Sequence, residues 1–574
     1  MKNKAITIDS QDNAAVALID LKSGSTVSVN GTDYLLKSDI KAKHKFALKD
    51  LAKNEDVWMY GIIVGVTTEN IKLGEAITVN NIKHKTSKVE HKTASYNWEK
   101  TDISKWEGKT FDGFKRSDGQ VGTRNIWLFF PLVFCENNNI EILKDTFEKE
   151  LGYFEPSKYQ NLLRSYLPNS NTDETSMSKN FLTQRDNNMR VPSLPARRSQ
   201  AGDRNIKLLP DEKAINENSK VLKNIELKFI THPGGCGAIR QDALELSQLL
   251  AGYLNNPNVA GATVLSLGCQ NLQIDIFQNS LKKINPDFDK PVLIYEQQQI
   301  GTAEEMLNSA IKDSITEILK ADKQEREPAP LSNLSIGLQC GGSDGFSGIS
   351  ANPLLGYVSD VMASIAGTVV LAEFPELCGV EQDIVNRCVN EADGVRFLEL
   401  MRDYEDSVIA SGTGFDANPS PGNIKDGLIT DAMKSAGAAK KGGSSPIVSV
   451  KDYGEYISEK GLSLLCTPGN DVESTTLLAG AGSNIILFTT GLGTPTGNPV
   501  TPVIKVSSNS ELANKMSDII DFNSGEIITG EKSISEVGEE LISLIIDIAS
   551  GKVRSKATIN KQNDFIPWRR GVSL

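Results

Sequence analysis

The segment "IGLQCGGSDGFSG", residues 336–348, joins a short apolar run to a glycine-rich polar loop through a single cysteine, Cys340. An apolar run of this length is typical of a buried strand, whereas the glycines that follow are too flexible to continue a regular element. The segment therefore predicts a strand that ends at Cys340 and a loop that begins immediately after it.

The same order of residues recurs along the chain from residue 225 onward. Five further segments have a short apolar run followed by glycine or a polar cluster: "ELKFITHPGGCG", "GATVLSLGCQN", "PVLIYEQQQ", "GTVVLAEFPELCG" and "NIILFTTGLGTPTG". Helical stretches such as "IRQDALELSQLLAGYL" and "NPLLGYVSDVMASIAG" separate several of them. This alternation predicts βαβ units and an α/β fold with largely parallel sheets. Because ligands of such sheets bind beyond the carboxyl ends of the strands, we expect the functional residues there.

Residues 1–90 have a different pattern, in which short alternating runs are separated by turns. "TVSVNGTDYLL" contains Asn30-Gly31, a pair suited to the tight turn of a β-hairpin, and "DVWMYGIIVGV" and "AITVNN" are typical of further strands. We predict a small β-rich module at 1–90 and a polar linker at 91–110. A second polar stretch, at about 155–220, is expected to be an exposed insertion or a partly disordered loop without a chemical role.

The composition narrows the class of protein. The 574-residue chain is 39% hydrophobic and 23% charged, as expected of a soluble protein with several domains. Its net charge of −12 argues against nucleic acid or an anionic membrane as the main partner. We find no signal peptide and no 18-residue apolar run, so we expect a cytoplasmic protein, with a homodimer as the default assembly. The seven cysteines include no Cys-x-x-Cys pair, which fits neither a disulfide framework nor a zinc finger.

Three of the predicted strand ends carry a cysteine beside or close to glycine: Cys236, Cys269 and Cys340. His232 precedes Cys236 by four residues. One interpretation is that these are free cysteines buried as small apolar residues. The other is a shared metal site in which His232 and the three cysteines hold an iron ion or an iron–sulfur cluster.

A series of segments, in order through nearly the whole chain, resembles the altronate/galactarate dehydratase family. They are "FDGFKRSDGQVGTRN", "THPGGCG", "VLSLGCQN", "CGGSDGFSGISANP", "EFPELCGVEQ", "NPSPGN", "PGNDVESTT", "FTTGLGTPTGNP" and the tail "PWRRGVSL". The N-terminal module, with "HKFAL", resembles the SAF (β-clip-like) domain of that family. The resemblance implies that 111–330 and 331–574 are the family's second and C-terminal α/β domains.

The resemblance also implies a metal-dependent lyase that acts on a small sugar acid of hexuronate breakdown. The typical metal is Fe²⁺, with Mn²⁺ or an iron–sulfur cluster as alternatives. D-altronate would lose water to give 2-dehydro-3-deoxy-D-gluconate. This reaction needs a base for the proton at C2, positive charge for the resulting enediolate and an acid for the departing C3 hydroxyl.

These chemical needs select polar residues within the resembling segments. The predicted catalytic residues are Glu373, Lys425 and Asp344, and Glu376 and Glu381 add further carboxylates after the same strand. The predicted substrate-binding residues are Arg116 and Arg124, as a carboxylate clamp, and Ser343, Ser347, Asn418, Asn423, Thr489 and Thr490. The alternative is that the arginines are structural and that Asp344 caps a helix.

Two departures from the family pattern leave the substrate open. The family stretch G-E-H-V-H-x-H-N reads "GEAITVNN" here, so that Ala76, Thr78 and Asn80 replace three histidines. His44 and His84 lie nearby and are candidates for a compensating metal role. Leu492 stands where an arginine is usual. Alternative functions are a lyase for galactarate or another small hydroxy acid, such as a sulfonated acid, and an inactive sugar-acid-binding protein.

Overall fold

The computed structural model describes residues 3–89, 91–152, 158–167 and 221–571. The chain divides into two compact units, Met1–Leu143 with Asn224–Leu574, and Lys144–Lys223. Most of the predicted insertion at about 155–220 lies outside the described residues, which include only one helix of it, Lys158–Tyr166. None of the described helices is both long and apolar enough to cross a lipid bilayer.

The N-terminal module is built from short antiparallel strands. They are β1 (Ala5–Ile6), β2 (Ala14–Ala17), β3 (Thr26–Val29), β4 (Thr32–Leu35), β5 (Lys45–Ala47), β6 (Asp56–Met59), β7 (Ile62–Thr67), β8 (Ala76–Ile77) and β9 (Ile82–Lys83). They form sheets in the orders β1-β2-β5-β8, β3-β4 and β6-β7-β9. The predicted hairpin is confirmed, because β3 pairs with β4 around Asn30 and Gly31, whose φ angles of 51° and 79° suit a primed turn.

A three-stranded antiparallel sheet follows the linker. It contains β10 (Thr110–Lys115), β11 (Val121–Gly122) and a strand from much later in the chain, β16 (Glu327–Pro330). Because β10 and β16 lie near the two ends of residues 111–330, this sheet connects the beginning of that segment to its end.

The first parallel sheet has the order β13-β12-β14-β15. Its strands are β12 (Ile126–Pro131), β13 (Glu226–Phe229), β14 (Val259–Ser266) and β15 (Val292–Glu296). Every pairing is parallel. All residues of β12 and β14 are buried, as expected of inner strands covered on both faces.

The second parallel sheet has seven strands in the order β19-β20-β18-β17-β21-β22-β23. They are β17 (Ser335–Cys340), β18 (Thr368–Leu371), β19 (Ile447–Lys451), β20 (Gly461–Leu465), β21 (Ile485–Thr490), β22 (Val503–Ser507) and β23 (Phe522–Asn523). The chain moves from β17 to one side of the sheet through β18 and later fills the other side from β21 onward. The carboxyl end of β17, where Cys340 lies, is therefore a topological switch point, the usual place for a ligand.

The α-helices connect these strands. They are α1 (Asn137–Glu150), α2 (Lys158–Tyr166), α3 (Arg240–Asn255), α4 (Ile274–Ile284), α5 (Gln297–Ile300), α6 (Ala303–Ala321), α7 (Ala351–Ser364), α8 (Glu381–Arg387), α9 (Glu391–Ala410), α10 (Pro421–Lys425), α11 (Asp431–Ala439), α12 (Asp471–Gly480), α13 (Ser510–Lys515), α14 (Gly525–Thr529), α15 (Ile534–Ala549) and α16 (Lys556–Ile559). The two quoted helical stretches are α3 and α7, and all six quoted strand segments are strands. The predicted fold class, a β-rich module followed by α/β structure with largely parallel sheets, is confirmed.

Candidate functional site

Cys340 lies at the centre of a buried group of charged side chains. Its backbone N–H donates to Oε2 of Glu373 at 3.0 Å, and its thiol donates to Oε2 of Glu376 at 2.8 Å. All three residues are at most 2% exposed. Gly341 follows at once, where a Cβ atom would collide with the carboxylate of Asp471. Glycine at this position therefore leaves room for the Asp471 carboxylate beside the strand end.

The backbone after β18 brings the two glutamates to the cysteine. Glu373 follows that strand by two residues and has a φ of 69°, a left-handed conformation that is unfavourable for a residue with a side chain. It turns the chain directly into a short 3₁₀ helix, Phe374–Leu377, which contains Glu376. Glu373 is also held by the amide of Gln339, which donates to its Oε1 at 2.7 Å.

Two lysines complete this group, which we call the Cys340 cluster (Cys340, Glu373, Glu376, Lys434 and Lys441). Lys441 Nζ donates to Cys340 Sγ and to Glu373 Oε2, each at 2.8 Å. Lys434, on α11, pairs with Glu376 Oε1 at 2.6 Å and donates to Asn418 Oδ1 at 2.7 Å. The sequence analysis did not identify either lysine. For Lys441 the reason is that "AAKKGG" resembles a solvated helix end, in which nothing local separates buried Lys441 from its exposed neighbour Lys440.

The cluster separates the pKa values of its two carboxyl groups. Burial and the neighbouring Glu376 raise the pKa of Glu373 to about 7. Burial alone would also raise the pKa of Glu376, but Lys434 and Lys441 outweigh it and lower that pKa below the usual value. Burial raises the pKa of the Cys340 thiol well above its usual value. One carboxylate is therefore ionised and the other titrates near neutrality, an arrangement suited to acid–base work.

The four predicted metal ligands do not form one site. Among the described residues, two groups of at least three His, Cys, Asp or Glu side chains have their ligand atoms within 4.8 Å of one another. One is Cys340 with Glu373 and Glu376, and the other is His84 with Cys378 and Asp431. His232, Cys236 and Cys269 belong to neither group. They follow strands of the four-stranded sheet, whereas Cys340 ends a strand of the seven-stranded one.

The surroundings of His232, Cys236 and Cys269 also differ from those of a shared metal site. His232 uses both ring nitrogens on the backbone, with Nε2 at 2.7 Å from the Pro131 carbonyl and Nδ1 accepting from the Gly234 N–H at 3.2 Å. Burial lowers the pKa of His232 to about 4. Cys236 is half-buried, and exposed Cys269 accepts a hydrogen bond from the Gln298 amide at 3.2 Å.

The two arginines predicted as a carboxylate clamp both make several contacts within the fold. Arg116 donates to the carbonyls of Pro257 and Arg124 and to the side chains of Asn125 and Gln324. Arg124 makes a two-pronged ion pair with Glu226 and donates to the Pro499 carbonyl. Neither guanidinium group is left to bind a substrate carboxylate, so the structural alternative raised from the sequence is the one these contacts support.

Asp344 and Lys425 also lie outside the Cys340 cluster. Asp344 is fully buried, accepts hydrogen bonds from Ser347 and Ser508, and pairs with Lys43 of the N-terminal module at 3.0 Å. It therefore joins parts of the fold. Lys425 is exposed, and its carbonyl lies 3.1 Å from Nε2 of His44, which belongs to neither group of ligands.

The remaining predicted substrate-binding residues form the frame of the site. Asn423 donates to the Ser343 carbonyl at 2.7 Å and completes the capping box of α10 with Ser420. Thr489 donates to Asn352, and Thr490 accepts from the Gly493 N–H. Among the predicted substrate-binding residues, Asn418 alone has a hydrogen bond to the Cys340 cluster, through Lys434.

Comparisons with known proteins cover nearly the whole chain. Residues 3–85 match the altronate/galactarate dehydratase SAF domain, residues 113–321 the D-galactarate dehydratase/altronate hydrolase second domain, and residues 331–573 the D-galactarate/altronate dehydratase C-terminal domain. The chain is similar to the altronate dehydratase of Bacillus subtilis (strain 168), with 34% identity over 572 residues and 99% of each chain covered.

Two relatives from Escherichia coli (strain K12) are also similar to this chain over nearly its full length. Its altronate dehydratase is 33% identical over 577 residues, with 99% of each chain covered. Its galactarate dehydratase (L-threo-forming) is 29% identical over 556 residues, which cover 96% of this chain and 93% of the relative. With all three domains matched in order and full-length similarity, the chain belongs to the altronate/galactarate dehydratase family.

Proposed function

We propose that this hydro-lyase removes water from D-altronate to give 2-dehydro-3-deoxy-D-gluconate, a step of hexuronate breakdown. The choice of substrate is supported by full-length similarity to two proteins named altronate dehydratase. The observation that carries the chemistry is the Cys340 cluster at the switch point of the seven-stranded sheet. It combines two carboxyl groups of different pKa with two ammonium groups.

The groups of the cluster match the steps of dehydration. Ionised Glu376 takes the proton from C2 of the substrate, and the ammonium groups of Lys434 and Lys441 stabilise the enediolate that this creates. Glu373, whose pKa is about 7, supplies the proton with which the C3 hydroxyl leaves as water. The C2–H and C3–O bonds break, one water is released, and the enol that remains tautomerises to the 2-keto acid.

The contacts of Lys434 indicate where the substrate approaches. Its ammonium group links buried Glu376 to Asn418, which is only half-buried. The loop that carries Asn418 also approaches Gly469, close to the side chain of Glu376. We therefore place the entrance to the cluster beside Asn418, whose amide can bind a sugar hydroxyl.

The Fe²⁺ implied by the family resemblance does not fit the predicted ligands or the Cys340 cluster. The predicted ligands are not assembled, as described above. In the Cys340 cluster, the Lys441 ammonium lies 2.8 Å from both the sulfur and a carboxylate oxygen, so a cation is already present between these donors. No step of the proposed reaction is therefore assigned to a metal at either place.

The test is an anaerobic assay of the purified protein with Fe²⁺, in which 2-keto-3-deoxy acid is measured from D-altronate and from galactarate. We expect turnover of D-altronate, loss of it in Lys434→Met, and retention in Lys440→Met, which changes an exposed lysine nearby. Turnover of galactarate alone would overturn the proposed substrate. Turnover of neither acid, or full activity of Lys434→Met, would overturn the proposed chemistry.

A further inference from the structure

A second group of ligand-type side chains lies where the N-terminal module contacts α11. It contains His84, Cys378 and Asp431, and we call it the His84 cluster. We propose that the His84 cluster binds a divalent transition-metal ion through one nitrogen, one sulfur and one carboxylate oxygen. This proposal does not depend on the proposed reaction, because it rests on these three residues and their surroundings.

Three separate segments are fixed against one another at this point. His84 directly follows β9, which pairs with β7. Thr430, the N-cap of α11, donates to the Val64 carbonyl of β7 at 2.6 Å and accepts from the Met433 N–H. The module therefore holds the start of α11, whose first residue is Asp431, beside the end of β9.

The segment that carries Cys378 is packed equally closely. Gly379 follows the cysteine, and a Cβ atom there would lie 2.9 Å from the Thr86 side chain and 3.3 Å from that of Ala432. Thr86, two residues after His84, and Ala432, directly after Asp431, thus both lie against this glycine. The three ligand atoms of the cluster come within 4.8 Å of one another as a result.

Asp431 is a buried carboxylate whose close polar neighbours are the other two members of the cluster, His84 and Cys378. The side chain is 3% exposed, and Oδ1 contacts Nδ1 of His84. Within the part of the chain that the structure describes, neither carboxylate oxygen has a hydrogen-bond partner of normal geometry. Buried charged oxygens are costly unless they are paired or bind a metal. An ion held between the three side chains would satisfy them.

The charges around the cluster favour a cation. The charged groups that act most strongly on His84 and Cys378 are all carboxylates: Asp431, Asp416, Glu381 and Glu405. No lysine or arginine of the described chain is among them, in contrast to the Cys340 cluster. These carboxylates therefore add negative charge around the three ligand side chains.

The donor atoms determine the class of metal. Imidazole nitrogen and thiolate sulfur suit Zn²⁺, Fe²⁺ and Co²⁺, whereas Mg²⁺ and Ca²⁺ prefer oxygen ligands alone. Three protein ligands leave a fourth position open for water or a small ligand, as in catalytic zinc sites. The His84 side chain is 32% exposed, so its rotation can open the space for an ion that enters from solvent.

The experiment uses Co²⁺ as the probe with the full-length, metal-free protein, under reducing and anaerobic conditions. We expect one Co²⁺ per chain and a sulfur-to-cobalt charge-transfer band that added Zn²⁺ removes. Cys378→Ser should abolish the band, and His84→Ala and Asp431→Asn should weaken Co²⁺ binding at least about tenfold. Cys388→Ser, which changes another cysteine near α8, should keep the band.

Cys340→Ser distinguishes the two cysteine-containing groups, and thermal unfolding checks that each variant is folded. Loss of the band in Cys340→Ser together with its retention in Cys378→Ser would overturn the proposal and place the ion in the Cys340 cluster. Absence of Co²⁺ binding, or equal binding by His84→Ala, would also overturn it. His84 is partly exposed, so this variant tests the site even if Asp431→Asn does not fold.

Discussion

The Cys340 cluster and the His84 cluster share cysteine and carboxylate side chains but differ in charge balance. Each has one cysteine beside carboxylates, and they share elements, since Glu376 and Cys378 are two residues apart and Lys434 and Asp431 both lie on α11. Two lysines reach the first cluster, whereas the second has further carboxylates around it. The comparison leads us to propose that similar donors serve acid–base chemistry where ammonium groups reach them and bind a metal where they do not.

The largest expected effect is that of removing the buried cation from the Cys340 cluster. Lys441→Met leaves Glu373 buried without its ammonium partner, and the loss of one partner of a buried ion pair costs about 3–5 kcal/mol. Urea denaturation should show this decrease in the free energy of unfolding. Lys440→Met should stay within about 0.5 kcal/mol of the unchanged protein. Equal stability of the two variants would contradict the ion-pair description.

The second effect concerns proton transfer. Glu376→Gln removes the proposed base, and we expect kcat on D-altronate to fall by about 10²–10⁴-fold, the usual contribution of general acid–base catalysis. Glu391→Gln, at the exposed start of α9, is the matched control and should keep its activity. Steady-state kinetics with both variants measures the difference. A change in KM alone would show that Glu376 binds the substrate without taking its proton.

The third effect is a pH dependence of stability. The pKa of Glu373 is about 7 in the folded protein, against an ordinary value of 4.5, so between these pH values the folded state binds more protons than the unfolded state. The free energy of unfolding should therefore decrease as the pH rises from about 4.5 to 7. Glu373→Gln should remove this contribution, as measured by denaturation at several pH values. An unchanged slope in the variant would assign the dependence to other groups.

The smallest expected effect is stabilisation by Zn²⁺, which should depend on the His84 cluster and not on the Cys340 cluster. In the metal-free protein, Cys378→Ser should change the free energy of unfolding by less than about 1 kcal/mol, because the thiol is only half-buried. With Zn²⁺ at 100 times its Kd, the unchanged protein should gain about 2.7 kcal/mol and Cys378→Ser should not. Thermal unfolding with and without Zn²⁺ tests this. Equal gains in both proteins would place the ion elsewhere.

The sequence indicated that Cys340 ends a strand and that Glu373 closely follows one, and both placements are confirmed. Apolar runs that end in glycine mark strand ends, and the two glutamates after β18 follow from that local pattern. The lysines could not be found in this way, because Lys441 lies 101 residues from Cys340 and its sequence surroundings are those of a surface residue. The contacts of Arg116, Arg124 and His232 could not be predicted either, because only the folded chain brings their hydrogen-bond partners to them.

What the sequence determined by itself is therefore local: the alternation of strands and helices, the Asn30-Gly31 turn, and the placement of a cysteine at the end of β17. These depend on hydrophobic period and turn chemistry, which act over a few residues. Only the tertiary structure decided which strand ends meet, which of two adjacent lysines is buried, and that His84 lies against Cys378 and Asp431. Those outcomes depend on packing between segments far apart in the chain, and burial and charge act through that packing.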